Sequence, residues 1–361
     1  MPVGVLERIA QHQREGAAWR MRVIEARPWA EIVLALGLNG ESTARAMAQR
    51  YARANGFPPL TVPNERRSRA ARIAVAQRFN RAPVMRAPVQ PQQVLRTYGV
   101  EIEYIGAQRL PVAIAVAQAL GVPHIHTFGY HGQTCETCGV VVPAAERYSN
   151  WKVERDGSVP TGGEVVSPIL QGAEGFAQIA KVTKAIQSVG GKTNRRCGLH
   201  VHIGMKDLSK LERANLVENW WKAYPVLKRL VGKSRWNNRY SSCPSVNRVA
   251  QILGVLRDGT VNEPYGVKYE ALNIEPFNKI GTYEFRLHQG TLNASKVEAW
   301  VRFLLAFIEN SQKQINVASV NELIDAVAEP IVAKVNPLNQ RQIAYLKGRE
   351  MALHRELQPA N

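Results

Sequence analysis

The chain has 361 residues, of which 45% are hydrophobic and 21% charged. At roughly 150 residues per domain this predicts about two globular domains and excludes wholesale disorder. Lys and Arg number 47 against 29 Asp and Glu, a formal charge of +18, and no apolar run approaches the roughly 18 residues of a membrane span.

The excess charge is uneven. Residues 1–97 hold 16 Arg, no Lys and 6 acids, a net of +10, and the rest of the chain carries +8. A basic N-terminal part suits a polyanionic partner, nucleic acid first, although a soluble Arg-rich surface would have the same composition. Glu7, Arg8 and Arg14 stand where an export signal needs an apolar stretch. Four Cys are too few for a disulfide framework. The expectation is a reduced, cytoplasmic protein.

In chain order, Leu6, Ile9, Ala17, Met21 and Ile24 predict a helix over 5–26. A short helix from Trp29 to Leu36 follows, then a turn at Gly37-Leu38-Asn39-Gly40, then a helix from Glu41 to Asn55. Ile32, Val33, Leu36, Leu38, Thr43 and Ala46 are the expected contacts between these two helices. The segment resembles a helix-turn-helix, whose second helix enters the DNA major groove. Arg45, Gln49, Arg50 and Arg53 would then face phosphates or base edges; a helical adaptor that contacts protein is the alternative. Arg66, Arg67, Arg69 and Arg72 open a predicted helix through Phe79, and Pro83, Pro88 and Pro91 mark a linker. The organisation expected is a basic helical domain over 1–60, an Arg- and Pro-rich linker over 61–96, and a larger domain over 97–361.

Beyond the linker, strands are predicted at 97–105, 151–154, 163–167, 198–204, 269–275 and 281–288. Helices are predicted at 110–120, 172–189, 207–231, 245–256, 295–316, 319–332 and 337–356. Strands separated by helices predict an α+β sheet domain with helices against one face. His124, His126, His131, Cys135 and Cys138 fall within 15 residues. Cys135-x-x-Cys138 is a candidate Zn²⁺ half-site that His126 or His131 would complete. A surface loop with unligated thiols, or a substrate-facing loop, has the same residues.

Three strands share one polarity. GVEIEY at 99–104, CGLHVHI at 197–203 and YEFRL at 283–287 alternate apolar and ionisable residues. Side chains at i and i+2 leave the same face of a strand. Glu101/Glu103, His200/His202 and Glu284/Arg286 therefore each form a polar pair opposite an apolar row. Any one pair is what a half-solvated sheet displays. Together they match a metal–phosphate site: carboxylates hold hard cations, imidazole ligates or donates, and Arg clamps phosphate. Glu164 follows Gly162-Gly163, glycines that would let backbone approach a ligand. Asp156, in the Asp156-Gly157-Ser158 turn, is a further carboxylate nearby.

These motifs, with DGSV at 156–159, GGEVVSPIL at 162–170, NRY at 238–240, KYEALNI at 268–274 and YEFRLHQGTLN at 283–293, resemble the amidoligase family. These carboxylate–amine ligases are related to glutamine synthetase and glutamate–cysteine ligase. The resemblance covers about residues 97–310. It implies a glutamine-synthetase-like curved antiparallel sheet with helices behind it. It implies ATP- and Mg²⁺- or Mn²⁺-dependent joining of a carboxylate to an amine through an acyl phosphate. By the same resemblance Glu101, Glu103, Glu164 and Glu284 are metal-ligand positions, His200 is a metal-ligand or phosphate-contacting position, and Arg286 stabilises the transferred phosphoryl. His202 contacts substrate, Arg239 and Tyr240 lie near the nucleotide or substrate, and Asn273 orients a carboxylate or amide. Two other readings compete. One is a guanidino-kinase-like phosphotransferase on the same sheet. The other is a DNA-binding regulator or virion component whose ligase-like domain senses a ligand.

Overall fold

The computed structural model describes residue 18 and residues 29–54, 96–129, 132–236, 238–258, 262–328 and 338–355. The chain divides into two units, Met1–Gln93 and Val94–Asn361. The helix expected over 5–26, Ala18 apart, and the helix and linker expected over 61–95 lie outside the described residues.

The described part of the first unit is a pair of helices, α1 (Trp29–Leu36) and α2 (Glu41–Ala54). Gly37 ends α1 at φ +60°, and the Leu38 N–H donates to the Val33 carbonyl at 2.9 Å. This left-handed cap is open to glycine at little cost. Ile32 of α1 and Ala44, Met47, Ala48 and Ala52 of α2 are buried. The buried face of α2 thus differs from the expected one: Thr43 is exposed and Ala46 half-buried, and the residues at 44, 47, 48 and 52, spaced three and four apart, are buried instead. Gln49, Arg50 and Arg53 are exposed. Arg45 is half-buried, paired with Glu41 at 3.0 Å and lying over the Trp29 ring.

The second unit is a mixed α+β domain. Its elements run β1 (Tyr98–Ile105), α3 (Arg109–Leu120), β2 (His126–Phe128), β3 (Lys152–Glu154), β4 (Gly162–Val166), α4 (Gly172–Ser188), β5 (Gly198–Gly204), α5 (Lys210–Leu227), α6 (Val246–Arg257), β6 (Leu272–Asn273), α7 (Phe277–Ile280), β7 (Thr282–Gln289), α8 (Ala294–Asn310), α9 (Val320–Ala328) and α10 (Gln340–Arg355). The strands form one open sheet of seven in the order β2-β3-β4-β1-β5-β7-β6. Every pairing is antiparallel except β2 with β3.

Local chemistry sets several boundaries. Ser209 and Glu212 cap α5 reciprocally: the Glu212 N–H donates to Ser209 Oγ, and the Ser209 N–H donates to the Glu212 carboxylate. Asn339 and Gln342 do the same for α10. The strand expected over 269–275 shrinks to Leu272–Asn273. Its first half is a turn, held by the Val267 N–H on Glu275 Oε1 at 2.7 Å.

The apolar rows of the strands form the core. Val100, Ile102 and Tyr104 of β1, Leu199, Val201 and Ile203 of β5, and Tyr283 and Phe285 of β7 are buried in one cluster with α4, α5 and α8. Trp220 of α5 sits edge-on to Phe285 at 5.0 Å and to Phe307 of α8 at 5.6 Å. Each such large side chain contributes about 1.5–3 kcal/mol by leaving water. The helices thereby fix the strands from behind, and the opposite parity is left to carry polar groups. No helix among the described residues is long and apolar enough to cross a membrane.

Candidate active site

Register carries the polar pairs into alignment. Glu101 of β1 lies opposite His200 of β5, His202 opposite Glu284 of β7, and Glu284 opposite Asn273 of β6. On the other side of β1, Glu103 lies opposite Glu164 of β4, which lies opposite Glu154 of β3. Cross-strand partners point to the same face, so residues from six strands converge on one surface.

His200 is the hub. Its Nδ1 is 3.1 Å from Glu101 Oε2 and 3.4 Å from Glu284 Oε1, and its Nε2 is 3.5 Å from Glu103 Oε1. Glu101, His200 and Glu284 each offer one ligand atom, all within 4.8 Å of one another. Glu103 accepts from the Gly198 N–H at 2.7 Å and from Ser158 Oγ at 3.4 Å. Asn273 Nδ2 donates to Glu284 Oε2 at 2.7 Å. Arg286 pairs with Glu284 and donates from Nε to the Tyr240 carbonyl at 3.0 Å. Arg239 lies 4.6 Å over the Tyr240 ring and is exposed. The loop that carries both is thus tied to the sheet through Arg286. His202 Nε2 is 3.3 Å from Glu101 Oε1, while its Nδ1 meets Thr282 Oγ1 at 3.1 Å.

The electrostatics of the face are uneven. Burial pushes Glu101 up, but hydrogen bonds from His200 and His202 overcome it and hold the carboxyl well below its usual range. Glu164 has no such partner. Burial first, then the charges of Glu101, Asp156, Glu154 and Glu103, drive it well above the carboxylate range. Burial lowers Arg286, yet the neighbouring Glu284 and Glu101 raise it, so it stays a fixed cation. Carboxylates crowded in this way are what a divalent cation relieves.

Three contributors are not among the expected site residues, although Ser158 stands in the DGSV motif. Arg235, in the short turn Lys233–Arg235, is buried and donates to the Arg286 carbonyl at 2.8 Å. Burial depresses it to about 10 and the charge of Glu103 opposes that. Glu154 extends the acidic row, and Ser158 reaches Glu103. Asp156 accepts the Ser158 N–H at 2.6 Å, so it makes the turn while its charge is felt at Glu164. The glycines before Glu164 serve neighbouring strands: a Cβ on Gly162 would lie 1.9 Å from the Tyr104 carbonyl, and one on Gly163 would lie 2.6 Å from that of Glu154. The close approach is therefore strand to strand.

Beside Glu101 and His202 opens a cleft of about 550 Å³, walled by Tyr98, Tyr148, Ile169 and Thr282 among others. Its size suits a small molecule. At the β2 edge of the sheet, where His126 and Phe128 lie opposite Lys152 and Glu154 of β3, His126, Cys135 and Cys138 come together with His124, while His131 lies outside the described residues. Burial raises the Cys135 thiol, but hydrogen bonds with His124 and His126 and from the Cys138 and Thr127 N–H groups bring it down to about 4.

Compared with known proteins, residues 95–308 match the model of the family described as "Putative amidoligase enzyme". No curated protein matches the chain. The matched segment spans β1 to α8 and includes every side chain of the acidic face. With more than half of its length so matched, the chain belongs to the amidoligase family of enzymes.

Proposed function

We propose that the protein is an ATP- and divalent-metal-dependent carboxylate–amine ligase acting on a glutamine-synthetase-like sheet. The observation that carries this reading is the convergence of Glu101, His200 and Glu284 on one point, flanked by the acidic row Glu103–Glu164 and the cation Arg286. Two carboxylates and an imidazole suit Mn²⁺ or Mg²⁺. Glu101, His200 and Glu284 would hold one such ion, and the neighbouring carboxylates Glu103 and Glu164 would be available as ligands beside it. Bound there, the metal supplies positive charge to the phosphate oxygens.

The chain's own residues do the rest. A substrate carboxylate oxygen attacks the γ-phosphorus, the bond to ADP breaks, and an acyl phosphate forms. The amine nitrogen then attacks the carbonyl carbon, phosphate leaves, and the nitrogen gives up a proton as the amide forms. Arg286, locked by Glu284 and the Tyr240 carbonyl, stabilises charge on the transferring phosphoryl without reorganising. Asn273 holds Glu284 in its rotamer. His202, pinned between Thr282 and Glu101, faces the cleft and contacts the acceptor. Arg239, stacked on Tyr240, attracts the anionic nucleotide.

The test is ATP consumption screened against paired pools of carboxylates and amines, with mass detection of products. The expected outcome is an amide formed with equimolar ADP and phosphate. Glu101→Gln and Glu284→Gln should lower its formation on the order of 100-fold or more while remaining folded. A stable phosphorylated product would support a phosphotransferase instead, and full amide formation in either variant would remove these residues from the site.

A further inference from the structure

At the β2 edge lies a second cluster that the ligase chemistry does not use. His124 precedes β2, His126 is its first residue, and Cys135 and Cys138 stand on the turn that folds back on the strand. Their four ligand atoms lie within 4.8 Å of one another. We infer that these four side chains form a structural Zn²⁺ site, Cys135–Cys138–His124–His126, which clips the chain between α3 and β3 onto the sheet edge.

Three observations carry this inference. First, two sulfur–nitrogen distances match the edge of a tetrahedral centre, and all four ligand atoms are close enough to share one ion. Cys135 Sγ is 3.6 Å from His124 Nε2, and Cys138 Sγ is 3.6 Å from His126 Nδ1. With Zn–S about 2.3 Å and Zn–N about 2.0 Å, the sulfur–nitrogen edge of a tetrahedral centre is about 3.5 Å. Each residue offers one atom, and the set holds two sulfurs and two nitrogens, which is a closed structural type with no open position.

Second, the backbone is shaped for a metal-bound thiolate pair. Gly139 takes φ +71° and its N–H donates to the Cys135 carbonyl at 2.8 Å, so the chain reverses tightly over Cys135–Gly139 with both cysteines on the turn. The Thr127 N–H points at Cys135 Sγ at 3.4 Å. Such N–H···S bonds from outside the ligand set spread thiolate charge and orient the sulfur.

Third, the segment lacks a core of its own. Phe128, Cys135 and Val142, with Cys138 against them, form a satellite cluster separate from the main one. Apolar burial this small does not hold a loop, and a metal is one of the usual staples. The clip also reaches the cleft wall. Arg147 lies over the Phe128 ring at 5.7 Å and pairs with Glu154 at 2.9 Å, and its neighbour Tyr148 lines the cleft. The site therefore stabilises one side of the substrate cleft from a distance and touches no reacting atom.

Metal analysis of the purified full chain decides the matter independently of any ligase assay. The expected result is one zinc per chain, with Cys135 and Cys138 resistant to alkylation until a chelator is added. Co²⁺ exchanged into the site should give the absorption of tetrahedral cobalt with thiolate charge transfer. Cys138→Ser should lose zinc at least tenfold, and His131→Ala should keep it. His124→Cys, which preserves four ligands, guards against loss by misfolding and should retain zinc and the cobalt spectrum. A zinc-free wild type with freely reactive or disulfide-bonded cysteines would overturn the assignment. So would full zinc content in Cys138→Ser, or zinc lost from His131→Ala.

Discussion

His288 shows how far alternation can be trusted at the level of one residue. Strict alternation along β7 would set it beside Glu284 and Arg286 on the acidic face. Two steps along β5, from Leu199 to Val201, instead match three along β7, from His288 to Phe285. A bulge of this kind re-aims the side chains beyond it. His288 faces Leu199 and lies 5.1 Å from the Trp300 ring, on the helix side. Burial depresses its ring to about 3, against the opposing hydrogen bond to the Gln289 carbonyl. The folded state thus keeps it neutral while the unfolded state protonates near pH 6.5. Between those values the unfolded chain binds the extra proton, so this residue lowers stability as pH falls from about 6.5 towards 3. Urea unfolding should show wild type losing about 2 kcal/mol more than His288→Leu between pH 7 and pH 5. Equal losses in the two proteins would mean that His288 is not buried neutral.

At the level of elements, glycine sets how close β4 comes to β1, and so where Glu164 meets Glu103. A methyl group at Gly162 has no room beside the Tyr104 carbonyl, while one at Gly254 of α6 meets nothing within 4 Å. Gly162→Ala should cost about 1–3 kcal/mol in denaturant unfolding. Gly254→Ala, by contrast, should gain about 0.5–1 kcal/mol. A Gly162→Ala protein as stable as wild type would contradict the β1–β4 packing.

The same elements show why the sequence was only partly legible. β1, β5 and β7 alternate over seven or eight residues, long enough for period two to stand out, and they carry Glu101, Glu103, His200, His202, Glu284 and Arg286. β2 has three residues and β6 two, too few to show a period. The β2–β3 pairing, and with it the place of His124, rests on tertiary contacts. Arg235 reaches the site from a short turn, where no periodicity marks which way a side chain points.

Across the whole molecule, the +18 charge contrasts with a functional face that is mostly acidic. A cluster of buried carboxylates around one imidazole can be an internal ion-pair network or an ion-binding site, and the two make different demands. A closed network would satisfy each carboxylate, as Arg286 and Asn273 do for Glu284. Glu164 is instead left among carboxylates that raise it, and a bound cation, as the proposed ligase function requires, would offset that charge. The most direct test is therefore Mn²⁺ binding to the full chain with a non-hydrolysable ATP analogue, followed by electron paramagnetic resonance and calorimetry. The ligase account predicts saturable Mn²⁺ binding that tightens with the nucleotide and weakens at least about tenfold in Glu284→Gln. Binding that is absent in wild type, or unchanged in Glu284→Gln, would contradict it.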